Sequence, residues 1–297
     1  MINANSKITS ELVDGSIARI MLNSPHSSNA QDVGMLYEFD EALTAAAHDE
    51  KVRVIIVGAH GKHFSAGHDL KSSDFSSVGV ARPLKSTWGD VNPGTIEGWY
   101  GWEREMYLDM CMRWRAIAKP IIAQVQGACI AGGLMIAWAC DLIVAADNAY
   151  FQDPVVNLGM PGVEFFAHAW EIGSRRAKEK LFTGDRWTAR DALDWGMVNR
   201  IVPGDKLSDE TLALAKTVAA KPSIGVKFAK EAVNSSMDTQ GFTASLKHVF
   251  AIHHLCHAHN RLKYGTLIDP AGLPESVRRS LPGGKLPKLE STTVKVD

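Results

Sequence analysis

The chain has 297 residues and a mass of 32.3 kDa, with 45% hydrophobic and 22% charged residues, the balance of an ordinary globular protein able to bury a full core. A formal net charge of −1 gives no bulk electrostatic attraction toward nucleic acid or an anionic membrane surface. No apolar run approaches the ~20 residues that span a bilayer. The N-terminal "MINANSKITSEL" lacks the basic start and long apolar stretch of a secretory leader, so a cytoplasmic protein without membrane insertion is expected. Cys111, Cys129, Cys140 and Cys256 show no zinc-type or thioredoxin-type spacing and are read as reduced, structural thiols.

In chain order, "ITSELVDGSIARIML" (8–22) predicts two strands joined at Asp14-Gly15, a dipeptide that readily takes the positive φ angles of a tight hairpin. Leu36, Phe39, Leu43 and Ala47 recur at helical spacing, which predicts a helix over about 31–48. "VRVIIVGA" (52–59) is nearly all apolar, as befits a strand covered on both faces. Residues 72–98, rich in Ser, Gly and Pro, read as a long loop, followed by a helix over about 99–117. "PIIAQVQG" predicts a strand, "GGLMIAWAC" a helix beginning at its glycines, and "DLIVAAD" another strand. Helical patterns dominate from about 165, and a turn-rich tail begins near 265. Strands alternating with helices up to about residue 203 define an α/β class.

Two glycine-containing bends stand directly downstream of apolar strands: Ala66-Gly67 in "KHFSAGHDL", and Gly132-Gly133. The second opens a helix, whose first N–H groups are unpaired and lie at the positive end of the helix dipole. Facing each other, one amide from each bend can grip a single oxygen, forming an oxyanion hole in which each donor is typically worth about 10²–10³ in rate. Spacing alone favours the plainer reading of two tight turns that merely need small residues. Neither bend is a nucleophile elbow or a phosphate-binding loop, because His63 stands where the first Gly of G-x-S-x-G belongs and "GKH" lacks the Ser or Thr.

"HFSAGHDL", "KPIIAQVQGACIAGG", "ACDLIVAADNAYFQDP", "LGMPG" and "LFTGDRWTARDALDWGMVNRIVP", in that order, resemble the crotonase (enoyl-CoA hydratase/isomerase) superfamily over residues 8 to about 262. The resemblance implies a spiral of β-β-α turns over 1–203, a C-terminal helical region over 204–264 that mediates trimerisation, and a tail over 265–297. It implies homotrimers, often paired into hexamers, and an acyl-CoA substrate whose thioester oxygen is held by two backbone amides as an enolate forms. Carried onto this chain those amides are those of Ala66 and Gly132, with Gly133 beside the second. The adenine and pantetheine of coenzyme A are expected against the backbone around Ala66, Asp69 and Leu70. No cofactor is implied, coenzyme A entering only as part of the substrate.

Hydratases of this superfamily use two glutamates to hold and activate water, and here the corresponding positions are Met135 and Val155, neither of which can move a proton. The acid or base is therefore sought in Glu164, expected to have a raised pKa beside Phe165 and Phe166 and weighed against a first-turn helix residue favoured by the dipole, and next in Asp153, whose favoured role is to cap or turn the chain before Pro154. His68 is expected to line the acyl pocket, and Asp69 to fix its turn or touch coenzyme A. Trp102, with Trp99, Tyr100 and Tyr107, is weighed as pocket wall against core or subunit contact. His253 and His257 lie one helical turn apart, but no carboxylate stands near them in the segment, so no metal is expected and they read as a polar helix face. Arg261 and Lys263 on that face are placed to approach the phosphates of coenzyme A. Isomerisation or another proton-shuttling reaction ranks above two-glutamate hydration. A catalytically inactive acyl-CoA-binding protein and a thioester hydrolase are the alternatives.

Overall fold

The computed structural model describes residues 6–70, 85, 87–88, 95–273 and 275. The hairpin forms where expected: β1 (Ile8–Val13) pairs antiparallel with β2 (Ile17–Leu22) around Asp14 and Gly15, at φ +53° and +69°. The remaining strands are β3 (Val54–Ala59), β4 (Ile121–Val125), β5 (Ala128–Ile130), β6 (Leu142–Ala146), β7 (Tyr150–Gln152), β8 (Trp187–Thr188) and β9 (Arg200–Val202). They build a six-stranded sheet in the order β1-β2-β3-β4-β6-β9, parallel beyond the hairpin, and a three-stranded sheet β5-β7-β8.

The helices are α1 (Val33–His48), α2 (Ile96–Glu103), α3 (Met110–Arg115), α4 (Gly132–Ala139), α5 (His168–Glu171), α6 (Ser174–Thr183), α7 (Ala189–Asp194), α8 (Leu207–Ala219), α9 (Ser223–Thr239) and α10 (Phe242–Tyr264). Asp32 caps α1, accepting from the Met35 amide at 2.8 Å, and the helix buries Leu36, Phe39 and Leu43 as its periodicity predicts. The expected helix over 99–117 runs from α2 to α3 through a π-helical stretch, Arg104–Asp109. Most of the expected loop over 72–98 lies outside the described residues, as does most of the tail.

The apolar run of β3 is buried at every position because the sheet is covered twice. Ile55 and Val57 face the large core shared with α1, α3 and α4, while Val54 and Ile56 face Leu207, Leu214 and Ala215 of α8. Trp99, Trp102, Met106 and Met110 also enter the large core, so the aromatic stripe is largely core. Four cysteines are free, Cys111 and Cys129 fully buried. By contrast α9 buries no residue and exposes Ile224, Phe228 and Val233.

Candidate active site

The first bend is laced backbone to backbone. The amides of Phe64 and Ser65 donate to the carbonyls of Gln126 and Ala128, and that of Asp69 to Gln31, while Gln31 in turn donates to the Gly67 carbonyl. The Gly67 amide reaches Ser65 Oγ at 3.2 Å. The Ala66 amide donates to the Ser28 carbonyl at 2.9 Å, so it is engaged within the fold and cannot be the expected oxyanion donor. Two residues further on, the His68 N–H finds no acceptor among the described residues.

The second bend meets the first. A Cβ built on Gly67, whose φ of +90° already favours glycine, would stand 3.2 Å from the Gly132 nitrogen and 3.0 Å from the Ala131 side chain. One built on Gly132 would stand 2.6 Å from Gln31 Oε1 and 2.8 Å from His68 Cε1. Only glycine lets the two backbones approach this closely. The chain enters α4 through Ala131 at φ +47°, an uncommon angle for a residue with a Cβ, and the amides of Gly132 and Gly133 find no acceptor among the described residues. The free amides of His68 and Gly132 thus belong to two bends in contact.

Glu164 sits in the turn between Gly162 and α5 and is buried beside this junction. Its Oε2 lies 3.3 Å from His68 Nε2 and its Oε1 3.5 Å from His253 Nε2. Burial pushes the carboxyl up, but the imidazoles of His68 and His253, with the His68 hydrogen bond, outweigh it and hold the pKa below the ordinary value. The expected upward shift is therefore reversed: burial among phenylalanines is overridden by two rings that the fold brings from distant segments. Glu164 is a carboxylate at neutral pH, suited to accept a proton. The other His68 ring nitrogen, Nδ1, is buried and lacks a hydrogen-bond partner, and the Tyr107 ring covers the imidazole at a centroid distance of 4.0 Å.

Asp153 is buried with both oxygens engaged: Oδ1 accepts from the Val155 amide at 3.3 Å and Oδ2 from the Val163 amide at 2.9 Å, with His168 Nε2 at 2.8 Å. Its contacts brace the turn that carries Glu164. Met135 is fully buried on the first turn of α4 and Val155 half-buried, both purely apolar. Asp69 and Leu70 are half-buried at the end of the first bend. Trp102 is buried, its ring stacked on Trp99 at 5.0 Å and edge-on to Tyr107.

Periodicity missed a second buried group. His253, His254 and His257 of α10 are not a polar face; each is at most 6% exposed. They close on Glu103, at the end of α2, whose Oε2 lies 3.1 Å from His254 Nε2 and 3.1 Å from His257 Nε2. Burial raises the Glu103 carboxyl, but His257 and His254 hold it well below the ordinary range. Sequence reasoning looked for a carboxylate within the α10 segment, and the fold supplies one from a helix far upstream.

The chain belongs to the enoyl-CoA hydratase/isomerase family, whose model matches residues 13–83 and 95–267. It is 42% identical over 269 residues to Mycobacterium tuberculosis EchA13, named provisionally as an enoyl-CoA hydratase, covering 86% of this chain and 83% of that one. Among solved structures, a Mycobacterium smegmatis protein described as a probable enoyl-CoA hydratase is 44% identical and superposes with a TM-score of 0.79 over 88% of this chain and 99% of that one. An enoyl-CoA hydratase/isomerase from Xanthobacter autotrophicus Py2 is 36% identical, with a TM-score of 0.73 over 84% and 87%. The fold is accordingly crotonase-like, and the chain is an enzyme of this family.

Proposed function

We propose that this enzyme acts on an acyl-CoA thioester by stabilising its enolate, with the amides of His68 and Gly132 as the two oxyanion donors and the His68–Glu164 pair moving the proton. One observation carries the reading: between Phe64 and Asp69 the His68 amide alone finds no acceptor among the described residues, and that bend touches the one holding the free Gly132 amide. Preorganised N–H donors aimed at a developing anion are worth most where water is excluded, and Gln31, Ser65, Met135 and Glu164 around the two bends are buried.

In this scheme Glu164, ionised at neutral pH, holds the His68 Nε2 proton, which leaves Nδ1 with a lone pair to accept the proton released next to the thioester carbonyl. The imidazolium that forms is stabilised by the carboxylate, exchanges its proton with solvent, and returns a proton to another carbon of the enolate. That sequence isomerises a double bond without adding water. Met135 and Val155, apolar where hydratases of the superfamily place their glutamates, leave no carboxylate at those two positions to activate water and favour isomerisation over two-glutamate hydration. Ala66, Asp69 and Leu70 border the region proposed for coenzyme A, with Gly133 next to the oxyanion donor. The apolar Ile224, Phe228 and Val233 exposed on α9 support assembly into a homotrimer or hexamer. A cytoplasmic location remains part of the proposal; among the described residues no helix is long and apolar enough to cross a membrane.

The test is solvent exchange. In deuterated buffer, NMR should show deuterium entering the carbon next to the thioester carbonyl of a saturated or enoyl-CoA ester, and the exchange should collapse in Glu164→Gln. Esters that bind without exchanging would favour a binding protein and refute the enolate reading; release of free thiol without exchange would favour hydrolysis.

A further inference from the structure

The group formed by Glu103, His253 and His257 lies beside the proposed acid–base pair but is not used by it. Its hydrogen bonds fix how the rings are protonated. His253 Nδ1 faces the Gly162 carbonyl at 2.9 Å and His257 Nδ1 faces the Leu267 carbonyl at 2.7 Å. A carbonyl oxygen only accepts, so both Nδ1 atoms carry hydrogen. In its neutral form each ring then presents an Nε2 lone pair, and these two atoms face each other at 3.1 Å with Glu103 Oε2 at 3.1 Å from one and 4.0 Å from the other.

Three electron-pair donors converging with neither a proton nor a metal cation between them repel one another, and all three side chains are at most 4% exposed. The separations suit an ion at their centre. Metal–nitrogen bonds of about 2.0–2.1 Å and metal–oxygen bonds of about 2.0–2.2 Å in a tetrahedron put neighbouring donors about 3.3–3.5 Å apart, within the range these three atoms span. Backbone carbonyls holding Nδ1–H are also the outer partners that orient histidines toward a metal. A further buried nitrogen points the same way: His254 Nε2 stands 3.1 Å from the same Glu103 oxygen yet makes no hydrogen bond.

We propose that Glu103, His253 and His257 bind one divalent transition-metal ion of the zinc type, with His254 as the nearest additional nitrogen. Two imidazoles and one carboxylate suit zinc or cobalt(II) rather than magnesium or calcium, which take oxygen ligands. The site does not depend on the acyl-CoA reading. Through His253, 3.5 Å from Glu164 Oε1, an ion there would neighbour the proposed acid–base pair.

The experiment strips the full-length protein with a chelator and titrates it with cobalt(II) chloride, then with zinc chloride. One equivalent of cobalt should bind with the visible absorption of a tetrahedral nitrogen–oxygen site and be displaced by one equivalent of zinc. His257→Gln and Glu103→Gln should each weaken binding by more than about 100-fold, since loss of outer partners alone costs about 10–100-fold. Absence of stoichiometric uptake by the wild-type protein would overturn the proposal and leave a proton as the occupant. Uptake unchanged in both variants, or a cobalt spectrum dominated by thiolate charge transfer, would overturn it by placing the ion elsewhere. The wild-type stoichiometry and spectrum decide even if a variant does not fold.

Discussion

Replacing Glu164 by Gln keeps the side chain's size and its ability to accept a hydrogen bond from His68 but removes its charge. The two groups stand 3.3 Å apart with side chains 7% and 11% exposed. At an effective dielectric of about 20, a full imidazolium at that distance gains roughly 5 kcal/mol from the carboxylate. With about half the charge developed in the transition state, the loss is roughly 2.5 kcal/mol, close to two powers of ten in rate. We therefore expect kcat to fall about 10²-fold with KM changed less than about threefold, because the carboxylate is not placed against coenzyme A. Steady-state assays on a panel of enoyl-CoA esters, with α-carbon deuterium exchange as the direct readout, measure this. The melting temperature checks that the fold persists, since a glutamine needs no desolvation of charge in the same space. A variant with wild-type kcat and exchange rate would refute the assignment of Glu164, whatever the fate of the oxyanion pair.

Gly132→Ala places a methyl group 2.6 Å from Gln31 Oε1 and 2.8 Å from His68 Cε1, so it should lower kcat by about 10²–10³ while the chain still folds, read by kinetics alongside circular dichroism. Asp153→Ala leaves the buried Val163 amide and His168 without their carboxylate and should destabilise the protein by about 3 kcal/mol in urea unfolding. Burial raises Glu171 to about 7, with Arg115 opposing, against an ordinary value of 4.5. Between those pH values the native state holds a proton that the unfolded chain lacks, so wild-type stability falls as pH rises through the window. Glu171→Gln should match the wild type near pH 4.5 and exceed it by about 2–3 kcal/mol at pH 8, measured by denaturation at both. Phe228→Glu combined with Ile224→Glu should lower the mass seen by light scattering if α9 is a subunit contact; an unchanged mass would exclude that face.

Local chemistry made much of the fold legible. The Asp14-Gly15 hairpin, the capped periodicity of α1, the two-sided burial of β3 and the start of α4 at its glycines each follow from short-range sequence, and each is found. Which amide of the first bend stays free was not legible, because Ala66 is silenced by the Ser28 carbonyl, a partner nearly forty residues upstream whose position no periodicity encodes. The same limit explains the reversed shift at Glu164: its phenylalanine neighbours are in the sequence, but His68 and His253 arrive through the fold. The histidines of α10 were misread because their carboxylate comes from α2. A closer signal did exist in His253, His254 and His257 themselves, since three histidines within one helical turn and a half are more than a solvated face requires.

The π-helical stretch between α2 and α3 widens one turn of an otherwise continuous rod. It acts as a phase adjuster: upstream, Glu103 is delivered to the histidines of α10; downstream, Trp114 Nε1 donates to Asp40 of α1 at 2.9 Å. A strictly regular helix of this sequence would rotate one end out of step with the other, so the irregular turn lets a single segment lock two distant neighbours at once. Shortening it by one residue would force a choice between those anchors.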